Sequence, residues 1–416
     1  APMAMTDPSP LTDLILKFKE NHQAYHDSAY KEAHLRQEFL DPFFEILGWD
    51  LRNRQNAPEI YKEVIFEESI KVFSATKTPD YCFRLAGKRK FFVEAKKPSI
   101  KIATNPTAAY QIRRYGWSAK LPVSILTNFS EFAVYDCRIK PNQHDSASQA
   151  RLLYLTYQDY QARWPEIHDL FAKISVISGS IDRLAETKKK GIDTVDTAFL
   201  KEIEGWREQL AIAFSQANSN LSQRQLNFAV QITINRLVFL RIAEDRGIEP
   251  YEQLKGLLTR SDLYGELGRL FERADDRYNS GLFHFKPEAD RGEPDDLTLG
   301  LKLSNQPLRT IIEKLYYPDS PYEFSIIPVE ILGQVYEQFL GKVIRLTPDH
   351  RAIVEDKPEV RKAGGVYYTP TYIVDYIIEQ TVGQWLIDKT PKQAEKLTIL
   401  DPACGSGSFL IGAYEY

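Results

Sequence analysis

The sequence predicts a multidomain α+β protein. It has an α/β core at the N-terminal end, an all-α stretch after it, and the opening elements of a second α/β domain. Three observations predict this. Short aromatic and β-branched runs cluster between residues 60 and 136. Helix-period apolar positions take over from about 152 to 345. A lone apolar run, LTIL at 397–400, then leads into the Gly-rich DPACGSGSFL. A chain of 416 residues is long enough for two or three domains, each with its own core. The boundaries are placed at 1–150, 151–345 and 346–416.

Residues 11–48 read as two helices. The second, about 30–47, carries Leu35, Phe39, Phe43 and Ile46 on one stripe. At 100° per residue Glu32 falls in the middle of that stripe, and Glu38 and Glu45 fall off it. An acid centred on a buried face needs a partner or a role. Strand candidates follow at 60–67 and 70–74. The stretch TPDYCFRLAGKRKFFVEAKKP (78–98) then reads as two strands, 81–85 and 90–94, joined at Ala86-Gly87 into a hairpin. Residues two apart in a strand share a face, so Glu94 and Lys96 point the same way. Hairpin pairing brings Asp80, at the start of the first strand, close to Glu94. Two carboxylates and an amine on one sheet edge can hold Mg²⁺, place a water and neutralise charge on a phosphate.

A helix at 106–119 carries Gln111 and Tyr115 four apart, on one face. Two strands, 123–127 and 131–136, meet at Asn128-Phe129-Ser130, and a polar loop spans 141–150. Further helices are expected at 197–217, 221–246, 252–273 and 326–341. The run ITINRLVFLRIAEDRG (232–247) reads as a core helix with Arg236 and Arg241 reaching outward to neighbours such as Glu244 and Asp245. Residues 286–297 read as an acidic loop and 346–365 as a flexible connector. Pro370 suits the first turn of a helix, and LTIL reads as a buried strand.

Hydrophobic content of 43% and charged content of 26% are ordinary for a globular protein, and the net charge of −4 is not that of a general nucleic-acid binder. The distribution is uneven. Between Arg84 and Lys120 stand ten basic residues (84, 88, 89, 90, 96, 97, 101, 113, 114, 120) against one acid, Glu94. Around paired carboxylates this predicts a phosphate-facing surface. Cys82, Cys137 and Cys404 lie far apart, which argues against zinc and a disulfide framework and fits a reducing, cytoplasmic setting. No apolar run reaches the length of a membrane span, and Met5 reads as the natural start.

Pro79-Asp80, Glu94-Ala95-Lys96 and the Gln111/Tyr115 pair together resemble the PD-(D/E)xK nuclease superfamily, in the branch with a QxxxY motif. The resemblance implies a PD-(D/E)xK α/β core in which Asp80, Glu94 and the Ala95 carbonyl are metal ligands for Mg²⁺. It implies that Lys96 orients or activates the water, and that Gln111 and Tyr115 steady the site or the DNA backbone. Glu32 matches the helix acid of that branch.

DPACGSGSF is similar to motif I of DNA methyltransferases that use S-adenosyl-L-methionine, and GVYYTP to their motif X. Motif X ahead of motif I is the gamma arrangement, which implies N6-adenine methylation and a Rossmann-like domain. By that resemblance Tyr367, Tyr368, Thr369 and Pro370 line the donor pocket. Asp401 faces the donor's methionine amino group, Ala403, Gly405 and Gly407 its backbone, and Phe409 packs beside it. An NPPY-type motif for a flipped base is not in the sequence, and the chain ends fifteen residues after Asp401. A fragment is therefore expected, one that does not methylate and binds S-adenosyl-L-methionine weakly if at all.

Nuclease, helical connector and gamma-type methyltransferase in one chain resemble a Type IIG (Type IIL-like) restriction-modification enzyme acting on double-stranded DNA. Two readings compete with it. One is a modification-system methyltransferase whose N-terminal domain only binds DNA. The other is a non-enzymatic interaction module built on helices 197–345.

Overall fold

The computed structural model describes residues 9–66, 78–186, 192–278, 280–288, 292–358 and 369–416. The strand candidate at 70–74 and the pair Tyr367, Tyr368 lie outside the described residues. The chain divides into two compact units. The first comprises Ala1–Val195, Asp245–Tyr251 and Tyr317–Ile326, and the second Asp196–Glu244, Glu252–Tyr316 and Ile327–Tyr416.

The first unit is built on a six-stranded sheet in sequential order: β1 (Val64–Ile65), β2 (Tyr81–Leu85), β3 (Lys88–Ala95), β4 (Val123–Thr127), β5 (Glu131–Asp136) and β6 (Arg151–Thr156). The expected hairpin is β2–β3. Its two-residue turn has positive φ at both Ala86 (48°) and Gly87 (77°), which matches the twist of paired antiparallel strands. β3 and β4 pair in parallel, with Glu94 opposite Leu126, so the chain must cross the sheet between them. The helix Pro106–Ser118 makes that crossing. Asn105 caps it by accepting the Ala108 N–H at 3.0 Å, and Pro106 sits at its first turn. The sheet continues past the boundary drawn at 150. The polar loop 141–150 does not end the domain but returns the chain to add β6 beside β5.

Each face of the sheet carries its own core. Tyr81, Phe83, Phe91, Val93 and Ala95 pack with Leu35, Phe39, Phe43, Trp164 and Phe171 on one side. Cys82 and Phe92 pack with Ile112, Tyr115 and Cys137 on the other. The two-residue period of β3 therefore puts Glu94 on the same face as Phe92, toward the crossing helix. The second N-terminal helix is not uniform. Two α-helical turns, Glu32–Leu35 and Asp41–Ile46, flank a π-helical stretch at Arg36–Leu40.

The crossing helix is buried on nearly every side. The sheet covers one face, and the distant segment 317–326 covers another. Tyr110 Oη donates to Pro318 O at 2.9 Å, and Arg114 Nη2 donates to Tyr322 O at 2.7 Å. Gly116 is what lets the helix lie this close to the sheet. A Cβ there would meet Cys137 Sγ, with Ser124 Oγ at 2.6 Å and Cys137 Cβ at 2.7 Å. Gly116→Ala is expected to lower unfolding stability by about 2 kcal/mol through overpacking. A urea melt monitored by circular dichroism measures this, and an unchanged midpoint would contradict the packing.

The second unit is mainly helical, with long helices at Val195–Ala217, Gln223–Asp245, Leu263–Tyr278 and Val329–Leu340. Among described helices Gln223–Asp245 is long and apolar enough to cross a membrane by length and composition, contrary to expectation. Within this unit it is a core helix carrying buried ions. Arg236 and Arg241 do not reach outward. Arg236 pairs with Asp295 at 2.8 Å and donates to Leu282 O, while Arg241 donates to Leu315 O and lies over the Tyr316 ring. The expected Arg241–Glu244 pair is present at 3.7 Å, but buried rather than at the surface. Helical periodicity identifies a buried face but does not show that loop carbonyls and a loop carboxylate will meet arginines placed on it.

Two other expectations change here. The connector holds a hairpin, β7 (Lys342–Leu346) with β8 (Ala352–Asp356). LTIL forms no strand, and its Leu400 is 87% exposed. A strand exists through its neighbour's hydrogen bonds, and among the described residues none pairs with it.

Candidate active site

Most of the residues singled out in the first unit converge at the end of β3. Lys96 Nζ donates to Glu94 Oε1 at 2.5 Å. Gln111 Nε2 donates to the same oxygen at 3.0 Å and to Tyr115 Oη at 3.0 Å. Asp80 Oδ2 accepts the Ala95 N–H at 2.7 Å, which ties the first acid to the strand that bears the second. Glu32 joins them electrostatically, since its charge acts on both Glu94 and Lys96. The i,i+2 spacing on β3, the i,i+4 spacing on the crossing helix and a β2–β3 register shifted by one residue at Phe83/Arg84 produce this grouping.

The electrostatics are those of a site short of positive charge. Burial, reinforced by Asp80, pushes the Glu94 carboxyl up to about 8 against the pull of Lys96. Burial pulls the Lys96 ammonium down, but Glu94, Glu32 and Asp80 outweigh it and hold its pKa above the usual range. The two directions agree that negative charge is in excess. Burial also holds the Tyr115 phenol well above its usual range, so it stays neutral.

Glu94 is 4% exposed, and its Oε2 has no hydrogen-bond partner among the described residues. A buried carboxylate oxygen left open beside a second acid fits a hard cation. Among the described residues no three His, Cys, Asp or Glu side chains gather as a metal cluster. Mg²⁺ does not require one, because it keeps several waters and is often bound through one or two carboxylates. Asp80, Glu94 and the Ala95 carbonyl would be the protein's donors.

Sequence reasoning missed one member. Arg36, from the π-helical stretch, donates through Nη1 to Asp80 Oδ1 at 3.0 Å. Its signal was its place four residues after Glu32, on the same helical face. The basic surround also differs from expectation. Arg113 is fully buried against Asp145 at 2.6 Å, and Arg114 is held by Tyr322 O, Glu323 and the rings of Tyr110 and Tyr317. Arg84 donates to Lys62 O and Glu59 O, Arg89 to Ile326 O, and Lys90 pairs with Asp182. Lys88, Arg89, Lys101 and Lys120 are exposed. Of the ten bases, Arg113 and Arg114 are thus buried in the fold, and Arg84, Arg89 and Lys90 are tied to protein partners nearer the surface.

In the second unit Thr369, Asp401, Ala403, Gly405 and Phe409 line one cleft of about 490 Å³, together with Glu337 and Lys357. Gly405 has φ of +55°, and a Cβ there would stand 2.6 Å from Glu337 Oε1. That oxygen accepts from Ser406 N at 3.2 Å and Ser406 Oγ at 3.0 Å. Glu337 on helix Val329–Leu340 is a second residue the sequence reading passed over. Pro370 caps the helix Thr371–Ile378, and Gly407, with φ of +83°, caps Ser408–Glu415; neither lines the cleft. The loop backbone and the open cleft beside Asp401 fit part of a donor site.

Residues 329–416 match the N-6 DNA methylase family. The whole chain is similar to the type II restriction enzyme and methyltransferase RM.Eco57I of Escherichia coli, at 38% identity over 99% of this chain and 41% of that protein. Nearly the whole chain is thus similar to one part of a type II restriction enzyme and methyltransferase. A putative type II restriction enzyme and methyltransferase from Methanocaldococcus jannaschii is 24% identical over 48% of this chain and 21% of its own length. The crystal structure of the type IIG restriction endonuclease BpuSI covers 91% of this chain and 37% of its own, at 15% identity and a TM-score of 0.24, too low to bear on the fold. The chain spans less than half the length of these restriction–methyltransferase relatives.

Proposed function

We propose that the first unit is a PD-(D/E)xK nuclease that hydrolyses phosphodiester bonds of double-stranded DNA with Mg²⁺. The observation that carries this is Glu94, a buried carboxylate with one open oxygen, Lys96 at 2.5 Å and Asp80 tied to the next residue of its strand. A bound divalent ion would polarise the phosphate and acidify a coordinated water. Lys96 holds a positive charge beside that water's place and orients it. Gln111 fixes the Glu94 oxygen that faces Lys96, and Tyr115 fixes Gln111 in turn. Glu94 first, and Glu32 after it, favour the charged form of Lys96.

We further propose that residues 346–416 are part of a gamma-type adenine-N6 methyltransferase domain, which the family match at 329–416 supports. S-adenosyl-L-methionine would supply the electrophilic methyl group. Thr369, Asp401, Ala403, Gly405 and Phe409 form the wall of its cleft, and Gly405 permits close approach of the loop backbone.

Supercoiled plasmid incubated with this chain and Mg²⁺ should be nicked or linearised, and chelation should stop it. If cleavage is absent with both Mg²⁺ and Mn²⁺, the nuclease reading falls and DNA binding alone is left for this unit.

A further inference from the structure

Arg36 has no part in the motif that led to this site, yet it is one of the best-held side chains near it. The residue is 8% exposed. It stands where the helix slips from α to π geometry, at the first position of Arg36–Leu40. Such slips are frequent at functional sites. Its guanidinium lies 4.9 Å from the centre of the Tyr81 ring and 5.8 Å from that of Phe66. Tyr81 Oη donates to Asp41 Oδ1 at 2.7 Å, on the same helical run as Arg36. The far end of the guanidinium reaches Asp80 Oδ1 at 3.0 Å. Asp80 is therefore gripped from two sides, by Arg36 on one oxygen and by the Ala95 N–H on the other.

We propose that Arg36 is a positioning residue of the nuclease site: it sets the orientation of Asp80 and supplies positive charge that competes with the bound metal. The inference rests on the nuclease reading above. A guanidinium cannot lose its proton in this setting, so the charge beside Asp80 is permanent. A fixed cation within 3.0 Å of a ligand carboxylate lowers the affinity for any second cation there. The same contact holds the carboxylate still, and misplacement of a reacting group by 1 Å can cost about 10²-fold in rate. Arg36 thus exchanges metal affinity for geometry, a pairing that a merely structural arginine would not show.

The test uses Mn²⁺ alone, with free ion counted by electron paramagnetic resonance, in parallel with plasmid cleavage by the same preparations. In the 416-residue chain Arg36→Met should bind Mn²⁺ about 10-fold more tightly and cleave about 10²-fold more slowly. Arg36→Lys, which keeps the charge, should bind Mn²⁺ as the unsubstituted chain does and recover part of the cleavage. Should the Met variant not fold, Arg36→Gln removes the charge and keeps a donor for Asp80, with the same tightening expected. Asp80→Asn separates the two layers of the argument. If it weakens Mn²⁺ binding while Arg36→Met or Arg36→Gln leaves it unchanged or weaker, the role given to Arg36 is wrong and the metal site stands. If Asp80→Asn leaves Mn²⁺ binding unaltered, the metal site itself is refuted and Arg36 with it.

Discussion

A chain carrying Lys96→Ala is expected to cleave DNA on the order of 10³-fold more slowly than the parent, with its fold intact. Lys96 stands 2.5 Å from Glu94 and is 17% exposed, so its charge acts through little water. Losing a preorganised donor or charge at a developing anion costs on the order of 10²–10³ in rate. The apo protein should tolerate the change because Glu94, already raised to about 8, can take up a proton and shed the charge that Lys96 balanced. Asp80→Asn should be equally inactive, for a different reason: the amide gives up a charged oxygen that would ligate metal. Initial cleavage rates at saturating Mg²⁺, beside far-UV circular dichroism, measure both effects. Either variant cleaving at more than a tenth of the parent rate would remove that residue from the catalytic set.

Metal affinity should depend steeply on pH, and the sign follows from Glu94. Its carboxyl is raised to about 8 in the fold against 4.5 as its ordinary value. In the apo protein the proton-bound form is favoured, so Glu94's contribution to stability is fully present below 4.5 and is lost as pH rises through about 8. A metal must displace that proton. Mg²⁺ affinity should therefore rise roughly 10-fold per pH unit up to about 8 and level off above it, with close to one proton released per ion near pH 6.5. Calorimetry in two buffers of different ionisation enthalpy reads the proton count directly. Flat affinity between pH 6 and 8 would show that Glu94 is not a ligand.

The candidate site was readable to an unusual depth because its spacings are short. Glu94 and Lys96 share a face by strand period, and Gln111 and Tyr115 share one by helix period. The two-residue turn at Ala86-Gly87 starts the hairpin register, and an irregularity between Phe83 and Arg84 shifts it by one residue, which brings Asp80 beside the end of β3. None of these inferences needs contact between distant parts of the chain. Glu32 was also legible, since an acid centred on an apolar helical stripe has few places to go.

The arginines show where that reasoning stops. A run of bases around Gln111 and Tyr115 reads locally as a surface for phosphate. Arg113 is instead neutralised by Asp145 from the polar loop, and Arg114 is covered by a segment some two hundred residues later. Arg36 is the opposite case: it lies on an ordinary helical face, and its contact with Asp80 spans 44 positions. LTIL fails as a strand for a related reason, since its apolar pattern states a preference for burial and only a hydrogen-bonded neighbour can make it a strand.

By itself, then, the sequence determined the β2–β3 hairpin, the crossing helix, the long helices of the second unit and the faces on which Glu94, Lys96, Gln111 and Tyr115 lie, all set by local period and turn chemistry. Tertiary structure alone decided which cations stay free to meet a ligand. A buried arginine must find compensating charge or carbonyls wherever the fold supplies them, and those partners lie at sequence distances that no local pattern encodes.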